Sequence, residues 1–175
     1  MQGVLIADYD PAWPSLFEEL RERVGNTLGP IVITIEHVGS TSVPNLPAKP
    51  IIDLDVVVRP EDVPAAIATL EQLGYQHEGN LGIDGREAFR WVANVPEHHL
   101  YLCPEGSAAF RRHIILRDYL RAHSDEAREY AALKRKLAAQ FHDNRSKYQD
   151  AKADFVDSLM KKAAAAAEER GTRNP

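Results

Sequence analysis

Residues 35–59, IEHVGSTSVPNLPAKPIIDLDVVVR, decide how this chain is read. The stretch opens on an apolar run ending at His37. It breaks into a hydroxyl-rich turn, Gly39-Ser40-Thr41-Ser42, and returns as Pro50-Ile51-Ile52-Asp53-Leu54-Asp55-Val56-Val57-Val58. Side chains on a strand alternate faces, so Asp53 and Asp55 point the same way. Two like charges that close repel each other, and a strand gains nothing by burying them. A divalent cation holding a phosphate, Mg2+ or Mn2+, is the natural compensation. The turn belongs with it. Gly39 lets backbone N–H groups approach an anion closely, and the Ser40 hydroxyl, with Thr41 next to it, adds a hydrogen-bonding group. Lys49 lies between turn and strand, placed to pair with a phosphate. Together these parts suit phosphoryl or nucleotidyl transfer, where catalysis is mostly positioning and charge neutralisation. Gly-Ser is also a common turn, and Asp-x-Asp occurs on solvated strand faces.

Outward from this stretch the chain alternates strands and helices, then turns helical. On the N-terminal side, residues 3–7 read as an extended lead-in. Asp10-Pro11 opens a helix whose Trp13, Phe17, Leu20, Val24 and Leu28 recur at helical spacing, and Gly29-Pro30 ends it. Residues 31–35 form a β-branched strand. On the other side, residues 51–58 form a strand, and Pro60-Glu61-Asp62 opens a helix that Gly74 stops. A short strand falls at 75–78. A hairpin turn at 80–85 is flanked by strands at 87–92 and 98–103. Helices follow at 107–121, 124–141 and 146–169, the last with a Ser146-x-x-Gln149 capping pattern. The chain reads as one domain: an α/β core over 1–104, a helical part over 105–169 and a tail over 170–175.

The helical part offers further polar groups. Arg117 and Arg121 stand one turn apart, and Tyr130 with Lys134 and Tyr148 with Lys152 repeat that spacing. Three helices each offering a cation in this way suit a basic wall opposite the carboxylates, with the tyrosines positioning the cations or stacking on a base; solvated faces with surface ion pairs give the same pattern. His37 and His99 are candidate metal ligands, although a mid-strand histidine is often a hydrogen-bonded core residue. His98 and His99 face opposite ways, and sequence alone leaves open which points inward. Cys103 has no partner and reads as packing.

The net charge of −5 and pI near 5.8 argue against a broad nucleic-acid surface, while leaving room for a local basic pocket. A single cysteine fits a reducing compartment, no apolar run approaches a membrane span, and the first residues lack signal-peptide features, which together read as a cytoplasmic protein.

The run HVGSTSVPNLPAKPIIDLDVVV resembles the signature of the GrpB (UPF0157) family, and LRDYLRAHSDEAREYAALKRKLA, YQDAKADFV and DYDPAWPSLFEEL extend the likeness over nearly the whole chain. That family is similar to the nucleotidyltransferase superfamily, whose pattern is a Gly-Ser turn followed by Asp-x-Asp on a strand. The resemblance implies a mixed sheet with C-terminal helices, an α/β (α+β) fold. It implies Mg2+ or Mn2+ on Asp53 and Asp55, and a nucleoside triphosphate as substrate or ligand, cradled by Gly39 and Ser40. Superfamily enzymes carry a third carboxylate on a neighbouring strand. The strand here that corresponds, 98–103, offers His99 and Tyr101 and no acid. Either His99 substitutes for that carboxylate, as metal ligand or proton acceptor, or a single metal suffices, or the fold has kept binding and lost transfer. Some members resemble a domain joined to dephospho-coenzyme A kinase.

The leading expectation is a metal-dependent enzyme moving a nucleotidyl group from a nucleoside triphosphate to a small acceptor. Asp53, Asp55 and His99 serve the metal and the chemistry, and Lys49, Arg117, Arg121, Lys134 and Lys152 neutralise phosphate charge. The alternatives are a non-catalytic binder of a nucleotide or phosphorylated metabolite, and a metal-dependent phosphohydrolase using His37, His99 and both aspartates.

Overall fold

The fold, taken from a computed structural model, is described for residues 5–91 and 95–172, with side chains to residue 169. The start of the expected lead-in, the end of the strand at Val92 and the last residues of the tail lie outside them. Helix α1 (Trp13–Leu28) leads into strand β1 (Val32–Val38) and the 3-10 turn Ser40–Ser42. Strand β2 (Ile52–Val58), helix α2 (Val63–Gln72), and strands β3 (Gln76–His77), β4 (Glu87–Arg90) and β5 (His98–Pro104) follow. Helices α3 (Ala108–Ala122), α4 (Ser124–Gln140) and α5 (Arg145–Thr172) close the chain.

The strands form one mixed sheet in the order β1-β2-β5-β4-β3. β2 lies between β1 and the central strand β5, antiparallel to the first and parallel to the second. Its alternation organises the molecule. Ile52, Leu54, Val56 and Val58 are at most 1% exposed and face α1 and α2, where they pack with Leu20, Val24, Leu28, Leu70, Leu100 and Leu102. Each such side chain contributes about 1.5–3 kcal/mol through burial, so this face anchors the sheet. The opposite face carries Asp53 and Asp55 beneath the C-terminal helices. Those helices have a core of their own: Val43 and Leu46 from the loop after the turn pack with Tyr119, Leu120, Tyr130, Ala131 and Leu159.

Two local details differ from the sequence reading. α5 starts at Arg145, and Asn144 caps it by accepting from the Lys147 amide at 3.0 Å; Ser146 lies already inside the helix. Asp10 accepts from the Ala12 amide at 2.8 Å and so shapes the turn ahead of α1, which begins at Trp13. α5 begins one residue earlier than expected because the Asn144 side chain takes a free amide of its first turn, whereas α1 begins later than Asp10-Pro11, at Trp13, where its apolar periodicity itself starts.

Candidate functional site

The C-terminal ends of β1 and the Gly39 turn bring the backbone down beside β2. Gly39 sits at φ 71°, in the left-handed region, and a Cβ there would lie 2.8 Å from the Asp53 Cγ and inside contact distance of its Oδ2. Glycine is required on both counts. The turn is braced from within, because the Ser42 hydroxyl donates to the Gly39 carbonyl at 2.6 Å.

β2 and β5 set the two acidic positions. Their parallel register places Asp53 beside His99 and Asp55 beside Tyr101. His99 Nδ1 donates to Asp53 Oδ1 at 2.7 Å, which leaves Nε2 unprotonated in the neutral ring. His113, on α3, donates through Nδ1 to Asp55 Oδ2 at 2.8 Å. Asp55 is fully buried, and burial raises its pKa against the lowering effect of His113. Its Oδ1 is buried with no hydrogen-bond partner among the described residues. The Arg86 guanidinium lies 4.3 Å over the Tyr101 ring on the same side.

A cleft of about 460 Å³ opens above Asp53. On one wall stand Ser40, Thr41, Lys49, Lys134, Tyr148 and Lys152, with Arg145 and Gln149 from the first turns of α5. Lys134 donates to Ser40 Oγ at 3.0 Å and to the Pro47 carbonyl, and it lies 4.6 Å over the Tyr130 ring. Tyr130 is buried beneath it and stacks on Phe155, so it carries Lys134 without lining the cleft. Lys49 and Lys152 flank the Tyr148 ring at 5.2 and 5.4 Å. Burial, with Lys152 and Arg135 nearby, pushes Lys134 down to about 7. Lys152 and Lys49 are lowered as well, first by burial and then by neighbouring cations. Among the described residues, Lys49, Lys134, Arg145 and Lys152 make no ion pair with a carboxylate.

The structure does not bring all of the expected residues here. Arg117 and Arg121 face the other side of the turn. Arg117 donates to Glu36 at 2.8 Å, to Asp118 at 2.8 Å and to the His37 carbonyl at 3.1 Å, while Arg121 gives two hydrogen bonds to the Ser42 carbonyl. In this structure both brace the turn and neither lines the cleft above Asp53. α3 crosses the sheet diagonally, so successive turns meet Asp55 on β2, then Glu36 on edge strand β1, then the loop. His37 also leaves the site: it stacks on Phe17 at 4.7 Å, donates to Thr41 Oγ1 and is lowered to about 4 by burial. Of the adjacent pair, His98 is the core residue, bonded to the Tyr75 hydroxyl at 2.8 Å and the Pro96 carbonyl at 2.6 Å, and His99 lines the cleft.

Asp55 reaches the sheet face as expected but is sealed under His113. Among the described residues no group of three His, Cys, Asp or Glu side chains is arranged to hold a metal, so Asp53, Asp55 and His99 do not form one three-ligand cage. The donor chemistry still fits Mg2+, which binds through one or two carboxylates and fills its remaining positions with water and phosphate oxygens. The unpartnered Asp55 Oδ1 is the acceptor that such an ion would satisfy.

Sequence reasoning missed His113, Arg86, Arg145 and the cleft rim at Leu81 and Trp91. His113 had a signal, standing four residues before Arg117 at the spacing that linked Arg117 to Arg121. The others had none, because they reach the site from loops and helix ends.

The GrpB protein family model matches residues 3–162. The chain belongs to the GrpB family. The UPF0157 protein YqkA of Bacillus subtilis is 40% identical over 156 residues, covering 89% of this chain and 46% of that protein. The chain thus spans about half the length of that relative. The crystal structure of GrpB from Enterococcus faecalis matches with a TM-score of 0.85 at 34% identity, covering 93% of this chain and 99% of that one. The Cid1 poly(U) polymerase matches with a TM-score of 0.54 at 12% identity, covering 77% of this chain and 44% of that one, which shows a shared nucleotidyltransferase-like fold. Among the described residues no helix of this GrpB chain is long and apolar enough to cross a membrane.

Proposed function

We propose that this GrpB chain binds the triphosphate of a nucleoside triphosphate in the cationic cleft and transfers its nucleotidyl group to a small acceptor. The observation that carries the reading is that Lys49, Lys134, Arg145 and Lys152, which have no carboxylate ion-pair partner among the described residues, line one cleft together with Asp53. A protein of net charge −5 that leaves its cations unpaired in a cleft, close enough to depress one another, is built to receive a polyanion. The fold relative Cid1 has been crystallised with MgATP, which supports the same ligand class.

In this reading the triphosphate lies along Ser40, Lys134 and Lys152, with Lys49 and Arg145 taking the outer phosphates. Asp53 and Asp55 are the residues to hold Mg2+ or Mn2+, which when bound supplies charge neutralisation on the phosphates. His99 Nε2, oriented by the bond from Nδ1 to Asp53, accepts the proton of the acceptor's hydroxyl or amine. The acceptor atom bonds to the α-phosphorus, the bond from that phosphorus to its leaving oxygen breaks, and pyrophosphate departs toward the lysines.

The test is pyrophosphate release from each of the four ribonucleoside triphosphates with Mg2+, over a panel of small hydroxyl and amine acceptors. Acceptor-dependent release that Asp53→Asn lowers by at least a hundredfold supports transfer. A second reading, a non-catalytic nucleotide or phospho-metabolite binder, draws on two features: β5 offers His99 and Tyr101 where an acid is expected, and Asp55 is sealed. It predicts saturable binding with no release over the same panel. The phosphohydrolase reading loses support because His37 sits in the core.

A further inference from the structure

The cleft above Asp53 has two ends of opposite chemistry, and the proposed triphosphate occupies only one. The far end lies toward the β4–β3 side of the sheet, where the β3–β4 hairpin and its flanks contribute Glu78, Leu81, Phe89, Arg90 and Trp91 to the lining. Leu81 is 59% exposed and Trp91 37% exposed. Singly such residues need no explanation, but here both border one concave site that continues directly into the cationic end. Leu81 also sits at φ 49°, in the left-handed region that side chains avoid, so the turn holds an apolar group out at the rim against its backbone preference. Beside it, Arg90 gives two hydrogen bonds to Glu78 Oε1, which places a donor and an acceptor next to the apolar surface. The chain's other tryptophan, Trp13, is 3% exposed and packs in the core under α1.

A molecule that matches both ends in one cleft carries a polyanionic head and a planar, apolar-faced group with polar edges. We infer that the Leu81–Trp91 rim is the base-binding end of this site, where the heteroaromatic base of a nucleotide stacks on the Trp91 indole. The assignment rests on the triphosphate reading and extends it to the rest of the ligand. Stacking of one base on an aromatic side chain changes affinity by about tenfold or more, so Trp91 contributes to nucleotide binding but not to binding of the phosphates alone.

The experiment follows tryptophan fluorescence while ATP or inorganic triphosphate is added to the wild-type chain, W91F and W91A, with calorimetry in parallel. ATP is expected to quench the wild-type emission, and W91F, which keeps a ring and leaves only buried Trp13, should lose the quench. W91A should bind ATP about tenfold more weakly while binding inorganic triphosphate as tightly as the wild type. Equal ATP affinity in wild type and W91A, or a quench that persists in W91F, overturns the assignment. The two readings separate cleanly. Triphosphate binding without any Trp91 effect of ATP keeps the phosphate site and removes the base site. A Trp91-dependent quench by ATP with no triphosphate binding does the reverse. Binding of neither probe removes both.

Discussion

Cations approach the Gly39–Ser42 turn from both sides, and the two sides are finished differently. Behind the turn, Arg117 is held by Glu36 and Asp118, and Arg121 spends two donors on the Ser42 carbonyl. In front of it, Lys134 bonds the neutral Ser40 hydroxyl and the Pro47 carbonyl and lies over the Tyr130 ring, and Lys49 and Lys152 lean on the face of Tyr148. Residue type does not separate a brace from a binding group here. Neutralisation separates Arg117, held by two carboxylates, from the front lysines, which have no carboxylate partner among the described residues, while Arg121 is fixed by two donors on a carbonyl of the turn itself.

The largest expected effect strikes the front alone. Replacing Lys134 and Lys152 together with Met should weaken binding of inorganic triphosphate by roughly a hundredfold or more, since a hydrogen bond to a charged group is worth about 1.5–3 kcal/mol. Calorimetric titration measures it, and the comparison breaks if the loss is under threefold. Gly39→Ala should damage the turn itself. At φ 71° the new Cβ meets the Asp53 carboxylate, so the fold should lose about 2 kcal/mol or more, read as a lower urea midpoint, with the Asp53–His99 pair displaced. Arg117→Met should act only behind the turn. Its pairs are partly exposed, so a loss of about 1–2 kcal/mol of stability is expected, with triphosphate affinity within twofold of wild type. A large affinity loss in that variant would erase the distinction between the two sides.

The smallest effect is a proton. Lys134 is held near 7 in the free protein, below its usual value, and a bound anion raises it again. Binding should therefore take up about half a proton at pH 7 and close to one at pH 8.5, with affinity falling as pH rises above 7. Titrations in buffers of different ionisation enthalpy check this. For the empty fold the sign is opposite. The buried lysine costs most stability below about pH 7, where it must be charged, and that cost fades as pH rises toward the unfolded value of 10.5.

Much of the front is legible in the amino-acid sequence. Period-two alternation places Asp53 and Asp55 on one face of β2, and helical spacing ties Lys134 to Tyr130 and Lys152 to Tyr148. Burial is less legible. Asp55 and His37 carry the same polar character in the sequence as Asp53 and His99, yet α3 covers one and α1 the other. The split between Lys134 and Arg117 is beyond reach for the same reason, since it depends on where α3 meets the sheet and how α4 packs against α3 and α5. Trp91 and Leu81 have no periodic signal, because a loop and a strand end bring them to the rim.

The most direct measurement is a calorimetric titration of ATP and of inorganic triphosphate into the wild-type chain and the Lys134→Met/Lys152→Met variant, at low and high salt. One-to-one binding of both ligands by the wild type, weakened by salt and lost in the variant, is the predicted result. Failure of the wild type to bind either ligand, or equal binding by the variant, would contradict a cleft built for phosphates.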